Sequence, residues 1–234
     1  MRYIPFLFRF LNFDCFRRAG HAFLWDHGIA HGDPSLWNLM YSTEHQCGVL
    51  SDYDLAILLD GSGVRGTDRT GTVTFMAIDL LDKKYWDGLI KRQYHHELEA
   101  FVWVLPFVFL RYQDRAAVPN TIVEEWMTSD YAQCHEKKAS FLRKLHEHLD
   151  GEGVQPDFKQ VWWIADELLF WLDEDHFRRQ AQLRSRRPGK NEVVAEVEVP
   201  ALLVRTRFVQ KMREMEGLED LNDILTSFRV PTPV

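Results

Sequence analysis

Two carboxylates and an amide mark the segment from His31 to Ala56, HGDPSLWNLMYSTEHQCGVLSDYDLA. Asp33 follows His31 and Gly32, Asn38 comes next, and Asp52 ends the strand-like run Gly48-Val49-Leu50-Ser51, just ahead of Tyr53 and Asp54. One carboxylate can orient an attacking hydroxyl and take its proton. An amide oxygen and a second carboxylate can hold magnesium against phosphate groups. These are the parts that phosphoryl transfer from ATP requires. Taken singly, Asp33 reads as a turn residue before a proline and Asp52 as a cap after a strand. Their order and spacing argue for chemistry.

Flanking elements must bring these groups together. Leu39-Met40-Tyr41 reads as a short strand and Val49-Leu50-Ser51 as its partner, with Glu44-His45-Gln46 as the turn. Such a hairpin places Asn38 and Asp52 at one end, so ligands distant in sequence can share one ion. Pro34 restricts the backbone of Asp33 and suits a carboxylate held at a fixed angle. Residues 3–27 show helical spacing of Phe6, Phe10, Phe13, Phe16, Phe23 and Leu24, ending near Gly28. Residues 57–72, with Gly61, Ser62, Gly63, Gly66, Thr67 and Asp68, read as a surface loop.

The later chain predicts more helix. Residues 96–112 form a strongly apolar core helix, which Pro106 should kink or interrupt. Residues 121–148 read as one or two amphipathic helices, capped at Asn120 or Thr121 with Glu124 completing the cap. Gly151 and Gly153 break the chain, a long helix covers residues 156–179, and helical spacing returns over 201–228. His95 and His96 read as a helix start. The basic run Arg184 to Gly189 reads as a solvated linker, with nuclear targeting the alternative.

Composition excludes several classes. The chain has 234 residues, 46% of them hydrophobic, which suits one globular domain with a large core and a short appendage. A net charge of −7 argues against general affinity for nucleic acid or anionic membrane. Cys15, Cys47 and Cys134 are too scattered for a disulfide framework or a zinc site. The run FVWVLPFVFL falls short of the ~20 residues of a spanning helix. Arg9 interrupts the apolar N-terminus, which therefore does not read as a signal peptide. The expected location is intracellular, cytoplasmic or nuclear.

The motifs in order resemble the C-terminal lobe of a eukaryotic protein kinase. HGDPSLWN resembles the catalytic loop H-R-D-x-x-x-x-N, and Ser51-Asp52-Tyr53-Asp54 stands in the place of D-F-G. Residues 71–79, GTVTFMAID, look like the close of an activation loop. DYDLA, RTGTVTFMAIDLL and HHELEAFVWVL resemble the versions found in the fungal-type protein kinase family. The resemblance covers residues 1–175, with 176–234 as a helical C-terminal extension. It implies an α+β, mainly α fold: a kinase-like C-lobe with a small β-hairpin at the active-site face and the N-terminal lobe missing. It implies ATP and Mg2+ as cofactors, Asp33 as the catalytic Asp, Asn38 as the catalytic-loop amide that also binds the metal, and Asp52 as the main metal ligand. Met40 would lie under the adenine ring. Asp79 would pair with an Arg that the sequence does not identify, and Glu97 would brace the catalytic loop.

The departures sharpen the reading. Gly32 replaces the Arg of H-R-D, which lessens regulation by loop phosphorylation. Asp54 replaces the Gly of D-F-G, and Ser35 stands where many Ser/Thr kinases carry a Lys. No Gly-rich loop and no V-A-I-K-like lysine strand stand ahead of the catalytic segment, where about 80–100 residues of N-lobe are expected. The expectation is a C-lobe whose transfer to protein Ser/Thr is impaired in this chain alone. Two alternatives stay open. One is a pseudokinase-like binding module that uses an uncovered apolar surface near Met40 and Leu50 to self-associate or to bind a protein. The other is a small-molecule phosphotransferase similar to aminoglycoside or choline kinases. H-G-D and D-x-D favour it, and the GT-x-x-FMA segment opposes it.

Overall fold

A computed structural model describes residues 20–42, 44, 47–60, 71–88, 90–114, 116–145, 151–185 and 198–215. The chain divides into two compact units, residues 1–70 with 202–234, and residues 71–201. The described residues are mainly helical, with small antiparallel two-stranded sheets. None of their helices is long and apolar enough to cross a membrane.

The first unit begins its described part with α1 (Gly20–Asp26). Gly28 ends it with φ +81°, a left-handed conformation that costs glycine little. The start of the predicted helix, residues 3–19, lies outside the described residues. Strand β1 (Ile29–Ala30) follows, then a 3-10 turn at Leu36–Asn38, β2 (Leu39–Ser42), β3 (Cys47–Leu50) and β4 (Ile57–Leu58). The β2–β3 hairpin is the predicted one, with Leu39 opposite Leu50 and Met40 opposite Val49. Side chains alternate between faces, so Leu39 and Leu50 point into the core while Met40 (53%) and Val49 (39%) remain exposed. This corrects the predicted surface: Leu50 is buried, and Val49 accompanies Met40 outside. The pairing of β4 with β1, Ala30 opposite Ile57, was not predicted. Two residues are too short for a periodic signal. A further helix, Ala201–Glu214, buries Val204, Phe208 and Met212 at a spacing of four, and Arg205 reaches Asp26 at 2.9 Å.

The second unit is built on one buried helix. Its elements are α2 (Ile78–Leu81), α3 (Lys83–Trp86), α4 (Tyr94–Arg111), the strand pair β5 (Tyr112–Gln113) and β6 (Ala116–Ala117), a 3-10 turn at Ile122–Trp126, α5 (Tyr131–Arg143), a 3-10 turn at Pro156–Phe158, and α6 (Trp162–Ser185). Every residue of α4 from Tyr94 to Leu110 is buried. The helix continues through Pro106 to Arg111 rather than ending there, because burial on all sides outweighs the one hydrogen bond that proline forgoes. Aromatic edges set its packing. Trp103 meets Trp126 at 5.2 Å, Trp126 meets Phe141 at 5.1 Å, and Phe75 meets Phe107 at 5.0 Å, all near perpendicular. Trp103→Ala is expected to cost about 3–5 kcal/mol, read as a fall in the urea midpoint.

Two predicted helices change form. The 121–148 segment opens as the 3-10 turn Ile122–Trp126, with Thr121 making no side-chain cap bond, before α5 begins under the Asp130 cap. Glu124 does reach back, accepting from Asn120 N–H at 2.9 Å. The long helix starts at Trp162 rather than residue 156 and runs on to Ser185, unbroken across position 175. Residues 61–70, 146–150, 186–197 and 216–234 lie outside the described residues, and with them most of the predicted loop over 57–72, the rest of the basic run and the end of the last predicted helix.

Candidate functional site

The predicted catalytic residues fall in the first unit, joined by hydrogen bonds. Asn38 ends the 3-10 turn, buried with 8% of its surface exposed, and its Nδ2 donates to the Asp33 backbone oxygen at 3.0 Å and to Asp33 Oδ2 at 3.1 Å. Its amide oxygen is thereby turned away from Asp33, available as an acceptor or ligand. The hairpin ties Asn38 to the residue before Asp52: the Asn38 backbone oxygen accepts from Ser51 N–H at 2.8 Å and from Ser51 Oγ at 3.0 Å. Asp52 then takes φ +64°, a left-handed conformation in which Asp is better tolerated than most residues, and is exposed. Asp33 is part-buried, and Asp54 is exposed.

His31 is a site residue that sequence reasoning recorded only as the neighbour of Gly32. It is 1% exposed. Its Nδ1 accepts the Asp33 backbone N–H at 3.2 Å, and its Nε2 lies 3.0 Å from the Ser51 carbonyl oxygen. That pattern assigns the neutral tautomer with the proton on Nε2. One ring thus bridges the Asp33 loop and the strand that delivers Asp52, and it meets Tyr53 edge-on at 4.5 Å. The signal was present in the spacing H-x-D, but the bond to Ser51 spans twenty positions.

Gly32 has a local reason. Its φ is +87°, and a Cβ there would drive into the Leu55 carbonyl oxygen, well inside van der Waals contact. No side chain fits this backbone, Arg included. Gly32→Ala is expected to destabilise the first unit by about 2 kcal/mol or more, since strain and clash combine, and to displace the Asp33 loop. A lowered melting temperature with altered protection of residues 30–38 would show it. Ser35 is 1% exposed, and its hydroxyl finds no hydrogen-bond partner among the described residues.

The second unit holds the other assigned residues. Asp79 pairs with Arg179, the arginine that the sequence could not identify; Arg179 Nε also binds Asp175 at 2.9 Å. Burial raises the Asp79 carboxyl, but neighbouring His96 and the Arg179 and His176 charges outweigh it and hold it well below the usual range. Glu97 is fully buried and accepts from Arg92 Nη1 at 2.7 Å.

Sequence reasoning missed the clamp on residues 73–78. Ile78 N–H donates to Glu99 Oε1 at 2.7 Å, the Met76 carbonyl accepts from Lys138 Nζ at 2.7 Å, and Thr74 Oγ1 donates to the Trp126 carbonyl at 3.3 Å. Lys138 is fully buried over the Trp103 ring at 4.7 Å, and burial pushes its ammonium down to about 8. Glu99 also accepts from Trp103 Nε1 at 3.0 Å and binds His176 at 2.9 Å. Burial would raise its carboxyl, but the His176 charge and hydrogen bond hold it at about 2.

The segment predicted as a surface loop, residues 57–72, contains one pattern that the sequence reading passed over. Gly61 to Gly66 spells G-x-G-x-x-G. It follows Asp52 rather than preceding Asp33, and it lies outside the described residues.

No curated protein matches the chain. Residues 13–109 match the family described as fungal protein kinase, a span that includes Asp33, Asn38, Asp52, Asp79, Glu97 and Glu99. Over residues 13–109 the chain is similar to the fungal protein kinase family.

Proposed function

We propose that the chain supplies the catalytic-loop and metal-binding half of a fungal-type protein kinase, the C-terminal lobe, and engages Mg-ATP for transfer to protein Ser or Thr. The observation that supports this best is the bonded pair Asn38–Asp33, with Asn38 tied through Ser51 to the strand that ends at Asp52. In this reading Asp33 accepts the proton of the attacking hydroxyl. Asn38 Oδ1 and the Asp52 carboxylate would hold magnesium, which when bound would supply positive charge against the phosphate oxygens. His31 keeps the two loops in register. Exposed Met40 offers an apolar surface to adenine. The donor set, one amide oxygen and one carboxylate with no thiolate or imidazole, suits a hard ion such as magnesium. Titrating the intact chain with a fluorescent ATP analogue, with and without magnesium, tests the reading: binding that requires the metal supports it, and metal-independent or absent binding removes it.

A second reading is a non-catalytic module. Met40 and Val49 lie side by side on the exposed face of the hairpin, and an apolar pair of this kind also serves a protein partner or a second copy of the chain. Concentration-dependent sedimentation that Met40→Lys abolishes would favour it.

A further inference from the structure

The first turn of α4 uses two buried histidines as hydrogen-bond acceptors. His96, 1% exposed, takes the Gln93 backbone N–H on Nδ1 at 2.9 Å. His95, 4% exposed, has its Nε2 2.9 Å from Arg179 Nη1. A guanidinium only donates, so His95 Nε2 must be the acceptor. Each ring therefore carries its single proton on the other nitrogen and is neutral. A second proton on His95 would set cation against cation at Arg179. A second proton on His96 would point N–H at the Gln93 N–H. The two rings lie with centroids 4.0 Å apart, so two imidazolium charges would also repel each other.

The surroundings offer little to offset those charges. Asp79 on α2 is bonded to Arg179, and its Oδ2 lies 3.8 Å from His96 Nε2. Glu99 on α4 is committed to His176 on α6. Asp175 on α6 is shared between Arg178 and Arg179. The carboxylates around the two rings are thus already paired. Asp79, His95 and His96 place ligand atoms within 4.8 Å of one another, a spacing a metal could use, but the guanidinium of Arg179 already binds two of the three.

We propose that this cluster is an acid-released latch: at neutral pH Arg179, seated between Asp79 and His95, ties α2 to α6, and protonation of His95 and His96 in mildly acid solution expels it. The inference concerns packing within the second unit and stands apart from the kinase reading. If that reading holds, the segment released is the one that closes the activation loop, and acid would switch it off.

The direction of each titration agrees. Burial holds His95 well below the usual imidazole value, with the His96 and Arg179 charges adding to it, and burial lowers His96 against the pull of Asp79. Below the ordinary value of 6.5 the unfolded chain takes up protons that these folded rings refuse, so stability falls with falling pH. His176 has the opposite sign. Burial opposes its charge, Glu99 more than compensates, and its folded value is raised. Its contribution is complete below 6.5 and is lost as pH rises through the folded value, so it does not reverse the acid effect.

Amide hydrogen exchange on the intact chain at about pH 7.5, 6.5 and 5.5, corrected for intrinsic rates, tests the latch against the double variant His95→Gln with His96→Asn. Gln places a carbonyl oxygen where Nε2 accepts, Asn does so where Nδ1 accepts, and neither titrates. Opening of residues 78–81 and of the Arg179 turn is expected to rise up to roughly tenfold per pH unit for each titrating histidine in the wild type and to stay flat in the variant. Equal pH dependence in both, or none in the wild type, would overturn the proposal. Should the variant not fold, imidazole C2 exchange in the wild type decides: midpoints below 6.5 for both rings support the latch, and midpoints at or above it sink the idea.

Discussion

If the proposed site binds Mg-ATP, millimolar Mg-ATP is expected to raise the melting temperature of the wild-type chain, and Asp52→Asn to abolish that rise. A ligand at a hundredfold excess over its Kd stabilises the state it binds by about 2.7 kcal/mol, which in a protein of this size moves the transition by roughly 5–10 °C. The variant is chosen for its backbone. Asp52 has φ +64°, where Asn is tolerated and Ala would add about 1–2 kcal/mol of strain. Asp52 is also exposed, so the ligand-free transition should move by no more than about 1–2 °C. A shift in the wild type that the variant lacks places the nucleotide's metal at Asp52. Equal shifts in both place the metal elsewhere. No shift in either, from a chain that melts cooperatively, favours the binding-module reading.

Glu99→Ala is expected to destabilise the second unit by about 3–5 kcal/mol, as much as the loss of a core tryptophan. The carboxylate accepts from Ile78 N–H, from Trp103 Nε1–H and from His176, and it is 1% exposed. Its removal strands two buried donors and a part-buried imidazolium. Glu99→Gln keeps acceptors for the two neutral donors and loses only the charge, so it should cost less, about 1–3 kcal/mol. The pH dependence checks the cause. A carboxyl held at about 2 against an ordinary 4.5 gives stability that is complete above 4.5 and is lost as pH falls toward 2. That acid slope, worth about 3 kcal/mol, should disappear in either variant. Urea midpoints measured from pH 7 down to about 3 would show it, and a wild-type slope retained in Glu99→Gln would mean that another carboxylate carries the acid sensitivity.

The contrast between these two sites shows what can be read in one dimension. Asp33, Asn38 and the Leu39–Leu50 hairpin were legible because their partners are local. A short β-hairpin fixes its register through alternation, and that register alone carries Asn38 to Ser51 and so to Asp52. The apolar length of α4 was legible too, because an unbroken hydrophobic run has few other solutions.

Leu50 was misassigned for the same kind of reason, one step finer. It and Val49 are both apolar, and only the phase of the pleat decides which one faces water. Pro106 does not end α4, because propensity is a local cost and complete burial of the surrounding turns exceeds it.

The sequence by itself determined the order of the catalytic-type residues, the hairpin that joins them and the central apolar helix, since each depends on neighbours within about twenty positions. Only the tertiary structure decided which arginine meets Asp79, which lysine holds Met76, and that Glu99, His95, His96 and His176 share one buried network. Those pairings join residues 62 to 100 positions apart. A charged side chain in a sequence carries no mark of its partner. Burial makes such a charge costly alone, and the fold then selects the partner that chain packing brings within reach.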